Sequence, residues 1–219
     1  MTAAFTFSDL ATGGCKLAAA LTSCGIERDA LVLGIVRGGV PAACKVALKL
    51  DLLLDVLLLK PLIAQPSGQI LRAAHVADTT VLDEGCQTLP AGSVERLVVD
   101  EGVGALRVRA AACRGPRPAI RIASRTIVLI DNGMRTGRTM AAAISTVRAM
   151  NAKWIVAATP VASAAAVALV EPVADQLLSL ATPATLGNVA MAYRRFEIPN
   201  EARIRELVDR SDRSSRSLC

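Results

Sequence analysis

The stretch TIVLIDNGMRTGRT, Thr126–Thr139, decides the fold. Its apolar run, Ile127 to Ile130, closes on Asp131-Asn132 and opens into Gly133, Met134, Arg135, Thr136, Gly137, Arg138 and Thr139, after which the chain turns Ala-rich. A short apolar run before such a link reads as a buried strand, and the Ala-rich segment beyond it as a helix. The Gly- and Thr-rich link presents backbone N–H groups and hydroxyls at a helix N-terminus, where a phosphate binds well. An acid at the strand's end adds an acceptor for sugar hydroxyls. Together these residues suit a phosphorylated sugar. Gly133 to Thr139 also loosely echoes a P-loop, but the spacing is one residue short and Arg138 stands where a P-loop has Lys.

Working outward, strands and helices alternate. Thr126 to Asp131 is followed by a helix over Thr139 to Met150, a strand over Trp154 to Pro160, a helix over Ser163 to Val170 and a strand over Ala174 to Ala181. Before it, Ser8 or Asp9 caps a helix running to about Cys24. Leu31 to Val36 is a strand, and a helix beginning near Pro41 runs to Leu50. Asp51 to Lys60 is a second strand, and Pro61 to Gly68 carries the breakers of a mobile loop. Ile70 to Leu82 holds a hairpin, and Ser93 to Cys113 is helical although Gly102 and Gly104 weaken it. Arg114 to Arg125 is a basic connector. A terminal helix covers Asn200 to Val208, and residues 210–219 read as a disordered basic tail. The alternation implies right-handed crossovers and an α/β fold: a mostly parallel sheet with helices on both faces, one domain over residues 9–209.

Composition narrows the class. The 219 residues are 53% hydrophobic and 2% aromatic, so the core is aliphatic, as a helix-covered parallel sheet requires. The net charge of +6 suits a polyanionic small substrate or a solvated basic surface, with nucleic acid a lesser reading. The six Cys form no C-x-x-C pair and His75 is the only His, which excludes a zinc constellation. Scattered thiols of this kind are small buried hydrophobes and point to a reducing, cytoplasmic setting. Leu50 to Leu59 is too short to span a bilayer and is interrupted by Asp51 and Asp55, so no membrane is expected. The N-terminal MTAAFTFSDL lacks the basic and long apolar regions of a signal peptide.

Asp131, Asn132, Thr136, Gly137 and Thr139 resemble the PRPP-binding motif of the type I phosphoribosyltransferases, in which adjacent acids follow a strand and precede a loop ending T-G-x-T. The resemblance implies that Asp131 and Asn132 hold the ribose hydroxyls and that Gly133 to Thr139 cradle the 5′-phosphate. It departs at Asn132, where the family usually has a second acid; Asn hydrogen-bonds but brings no charge. Leu33 to Val40 resembles the family's pyrophosphate loop, so Arg37, Gly38 and Gly39 are implied there. Adjacent glycines let backbone amides approach an anion. Lys60, read as the end of the second strand, resembles the basic residue that reaches pyrophosphate before a closing loop. Ala158 to Ser163 and Met191 to Phe196 look like a bacterial branch, the predicted phosphoribosyltransferases.

The resemblance further implies a Rossmann-like fold with a small variable hood, Mg²⁺ held through the substrate, PRPP and a small-molecule acceptor as partners, and a homodimer. The hood would draw on the N-terminal helix or on Leu180 to Phe196. Asp131 is the implied catalytic residue. Arg135 stands where 6-oxopurine enzymes carry an acid, which argues against that substrate class. Two functions remain open: phosphoribosyl transfer to a nitrogen acceptor, and a non-catalytic PRPP or nucleotide sensor on the same fold.

Overall fold

A computed structural model describes residues 7–63 and 70–216. In chain order the elements are α1 (Leu10–Leu21), β1 (Leu31–Ile35), α2 (Gly39–Leu50), β2 (Leu53–Ile63), β3 (Ile70–Val76), β4 (Thr79–Leu82), α3 (Glu84–Gln87) and α4 (Val94–Arg114). The second half adds β5 (Thr126–Ile130), α5 (Arg138–Ala149), β6 (Trp154–Val161), α6 (Ala164–Val170), β7 (Gln176–Ala181), a 3-10 turn (Val189–Ala192) and α7 (Glu201–Arg216). The expected alternation is present, with most boundaries moved by a residue or two.

The strands form one seven-stranded sheet in the order β4-β3-β2-β1-β5-β6-β7. Strands β2, β1, β5, β6 and β7 run parallel, and the β3–β4 hairpin adds antiparallel to β2. β1 and β5 are buried along their whole length, which explains their uninterrupted apolar sequence. Alternate side chains feed different cores. Val32, Val128 and Val156 join α1, α2, α4 and α7 on one face, while Leu33, Leu129 and Ala157 join α5 and α6 on the other. Gly102, read as a weakness in α4, lets that helix lie close on β2, because a Cβ there would run into the Leu62 side chain. Among the described residues no helix is long and apolar enough to cross a membrane.

Two expectations are corrected. β2 does not stop at Lys60 but runs to Ile63, paired with β3 from Leu57↔Val76 to Ile63↔Ile70. Pro61 is tolerated because β1 ends opposite Leu57, so beyond that point one flank of β2 is open. Residues 64–69, the rest of the expected mobile loop, lie outside the described residues. The terminal helix does not stop at Val208 but continues to Arg216, through most of the expected tail. Asn200 caps it by accepting from the Arg203 N–H at 2.9 Å, and Arg117 anchors its far half through Asp209 and Asp212 at 3.6 and 3.3 Å. Residues 217–219 lie outside the described residues.

Candidate functional site

Counting only parallel strands, the order β2-β1-β5-β6-β7 reverses direction between β1 and β5. Such a reversal opens a crevice at the carboxyl ends of the two strands, where α/β proteins bind ligands. The loop after β1 carries Arg37, Gly38 and Gly39, and the loop after β5 carries Asp131 to Gly137. The register Gly34↔Ile130 sets the two loops side by side.

Each loop runs into a helix N-terminus. Gly38 is the N-cap of α2, and Gly137 is the N-cap of α5 in the left-handed conformation, φ 73°. A left-handed N-cap suits glycine, since a Cβ there is strained and would also lie 2.9 Å from the Ala166 carbonyl oxygen. Among the described residues the backbone N–H groups of Thr136, Gly137, Arg138 and Thr139 have no acceptor, nor do those of Arg37, Gly38 and Gly39. The Thr136 and Thr139 hydroxyls are equally unengaged, and both residues are exposed. Two helix N-termini with unpaired donors therefore flank one crevice, and each attracts an anion. The peptide between Val36 and Arg37 is cis.

The glycines serve packing as well as access. A Cβ on Gly38 would lie 2.6 Å from Asn132 Nδ2, and one on Gly39 would run into the Ile130 carbonyl oxygen and Asp131 Cα. The Asn132 side chain thus rests directly on the neighbouring loop. Asp131 is half-buried at the bottom of the crevice. Its Oδ1 accepts the Asn132 N–H at 2.8 Å. Burial pushes the carboxyl up from 3.8 to about 7, opposed only by that backbone hydrogen bond.

Met134 is corrected. Its side chain is buried in the core and its N–H donates to the Val161 carbonyl at 2.8 Å, so neither faces a phosphate. Gly133 is buried against Val189 and Val161 and acts as a spacer. Arg135, Arg138 and Arg37 are exposed, and Lys60 is half-buried within β2. Arg37 and Lys60 make no ion pair among the described residues. The Glu201 carboxyl is held below its usual range by its own backbone N–H first and then by Arg109.

Two supporting residues entered the sequence reading only as parts of longer stretches, with no site role. The Ser163 hydroxyl donates to the Arg135 carbonyl at 2.7 Å and accepts from the Ala166 N–H at 3.0 Å, tying the phosphate loop to the start of α6. Its place before an Ala-rich helix was a capping signal. The Tyr193 hydroxyl donates to the Asn132 carbonyl. Tyr193 stands in an aromatic row with Phe7 and Phe196, each 5.5 Å away between ring centroids. The residue leading into the N-terminal helix pairs with the second candidate hood segment here: Phe7 N–H donates to the Ala192 carbonyl at 2.7 Å, and Arg194 N–H to the Phe7 carbonyl at 2.8 Å. Being the only Tyr of an aliphatic chain was its signal. Tyr193→Phe is expected to lower stability by about 1 kcal/mol, measured by denaturant unfolding, since it removes one hydrogen bond and keeps the ring stacking.

The sheet is doubly wound, and two helix N-termini with unpaired N–H groups meet at its switch point. The sequence profile of the phosphoribosyl transferase domain matches residues 16–189, and the chain belongs to that family. Curated relatives, candidate phosphoribosyl transferases of Mycobacterium tuberculosis strains CDC 1551 / Oshkosh and ATCC 25618 / H37Rv, are 31% identical over 224 aligned residues. The match covers 94% of this chain and 47% of each relative, so the chain spans about half the length of the curated relatives it matches. Among solved structures, TT1426 from Thermus thermophilus superimposes with a TM-score of 0.77 at 30% identity, covering 93% of this chain and 97% of that one. A hypothetical protein from Neisseria gonorrhoeae with bound ppGpp shares the fold, with a TM-score of 0.50 at 12% identity and 98% and 96% coverage.

Proposed function

We propose that the protein binds PRPP with Mg²⁺ and transfers its phosphoribosyl group to a nitrogen acceptor, releasing pyrophosphate. The observation that carries this reading is the pair of unpaired N–H arrays, one at each helix N-terminus, with Asp131 between them. In this assignment Thr136, Gly137, Arg138 and Thr139 take the 5′-phosphate. Arg37, Lys60 and the amides of Gly38 and Gly39 take the pyrophosphate, and Asp131 and Asn132 take the ribose hydroxyls. The C1–O bond to pyrophosphate breaks as the C1–N bond forms, and the nitrogen loses a proton. Positive charge builds on the ribose as the leaving group departs, and the Asp131 carboxylate stabilises it.

The oxygen donors here, one carboxylate and one side-chain amide, are too few for an all-protein cage but suit a hard cation held through substrate oxygens. When bound, Mg²⁺ would offset charge on the pyrophosphate. The decisive assay is pyrophosphate release from PRPP across a panel of nitrogen acceptors, preceded by thermal shift with PRPP, ribose 5-phosphate and nucleoside monophosphates. If none of the three ligands moves the melting temperature, the reading is wrong. Asn132 in place of a second acid favours the other reading, a PRPP sensor without turnover; binding with no release on any acceptor would select it.

The pH dependence follows from Asp131. Below about pH 7 its carboxyl is protonated and cannot oppose positive charge on the ribose. Turnover is therefore expected to rise as pH passes through 7, and Asp131→Asn to give a low, flat profile. In the ligand-free protein the sign reverses. A carboxyl raised from 3.8 to about 7 on folding binds its proton better when folded, so stability falls as pH rises across that window. Asp131→Asn removes this loss and is expected to raise the melting temperature at neutral pH and above.

A further inference from the structure

The opposite end of the strands carries a second cavity, of about 300 Å³, under the turn that follows α1 and against the first residues of β5, β6 and β7. Cys24, Glu27, Thr126, Lys153, Trp154 and Gln176 are among its lining residues. Thr126 and Asp131 stand at opposite ends of β5, so the cavity lies roughly 17 Å from the crevice along the strand direction. None of its residues belongs to the site described above.

Its chemistry is specific. Trp154 is the only Trp of the chain and is 46% exposed, presenting a large flat ring at a place where its neighbours on the sheet are small or aliphatic. The Glu27 carboxylate accepts from Lys153 Nζ at 2.6 Å and from the Thr126 hydroxyl at 2.8 Å. Those bonds, Lys153 first and Thr126 second, hold the carboxyl below its usual range, so the pair is ionised. Each carboxylate oxygen keeps a lone pair and the ammonium keeps N–H donors. The Gln176 side-chain amide has no hydrogen-bond partner among the described residues and offers both a donor and an acceptor. Cys24 completes an apolar wall against the main core.

These features select a ligand class. Ligand clefts start at about 300 Å³, so the cavity holds a single or fused heterocycle and not a nucleotide. The ion pair is neutral overall: a phosphate would meet Glu27 and a cation would meet Lys153. A neutral ring whose edge carries both N–H donors and C=O or ring-nitrogen acceptors matches the adjacent carboxylate, ammonium and amide, and its face stacks on the indole. We infer that this cavity is a second binding site, for a neutral planar heterocycle of nucleobase type, separate from the phosphate crevice. The inference does not rest on the transferase reading.

Because Trp154 is the sole Trp, its fluorescence reports this cavity alone. Uracil and adenine are titrated against the full chain, with AMP as the phosphate-bearing control. The expected result is a saturable change with at least one base, and a weaker response to AMP. Gln176→Ala and Glu27→Gln should each weaken the base about tenfold, the loss of one hydrogen-bonding partner, while Asp131→Asn leaves it unchanged. No saturable change with either base overturns the proposal. So does a response that survives both Gln176→Ala and Glu27→Gln, one that is lost in Asp131→Asn, or AMP binding as tightly as adenine.

Discussion

Gly137→Val is expected to weaken ribose 5-phosphate and PRPP about a hundredfold or more, while Asn132→Asp leaves their affinity at least intact. Gly137 is held at φ 73°, which a β-branched residue adopts only under strain. Its new Cβ would also lie 2.9 Å from the Ala166 carbonyl oxygen and 3.1 Å from Val170 Cγ2. The loop must shift, and it takes with it the amides assigned to the phosphate. Losing even two charge-assisted hydrogen bonds of about 1.5–3 kcal/mol each reaches a hundredfold. Asp at 132 is nearly isosteric with Asn and restores the second charge near the ribose. Calorimetry on both variants, with circular dichroism to establish folding, is the measurement. A folded Gly137→Val protein with unchanged affinity would leave the loop a purely structural turn.

Arg37→Ala and Lys60→Ala are expected to weaken PRPP about tenfold to a hundredfold each and to leave ribose 5-phosphate nearly unaffected. The two ligands differ by the pyrophosphate to which both residues are assigned, and a direct charged contact is worth roughly 1.5–3 kcal/mol. Parallel losses for both ligands would instead mean a general effect on the fold or its field. No loss for either would leave two surface charges and move the balance toward the sensor. Of the pair Lys60 is the sharper test. It lies inside the β2–β3 ladder opposite Ala73, so its position is fixed by backbone pairing on one side.

The β5–loop–α5 unit was legible because each local signal agreed: an apolar run for a buried strand, a Gly- and Thr-rich link and an Ala-rich helix beyond it. The same held for β1 and α2, where Gly38-Gly39 marks the turn and Pro41 sits in the first turn of the helix. What failed depended on contacts distant in sequence. Pro61 reads locally as a breaker, but β3 supplies the partner that continues the strand. Met134 sits in the same loop, and its burial in the core and its N–H bond to Val161, 27 residues on, turn it inward. The bond from Tyr193 to Asn132 joins positions 61 residues apart. The helix beyond Val208 draws on Arg117, in a connector whose position relative to α7 no local pattern predicts.

The pairing of Gly34 with Ile130 has a consequence for when the site comes into being. The hairpin and α4 must be laid down, and a long stretch of chain closed, before the second anion loop can reach the first. A nascent chain that has folded only through α4 owns one half of the crevice and can offer a phosphorylated sugar nothing to span. On the proposed assignment, ligand affinity is a report on completed folding, and a bound ligand favours the finished chain over every partly assembled form of it.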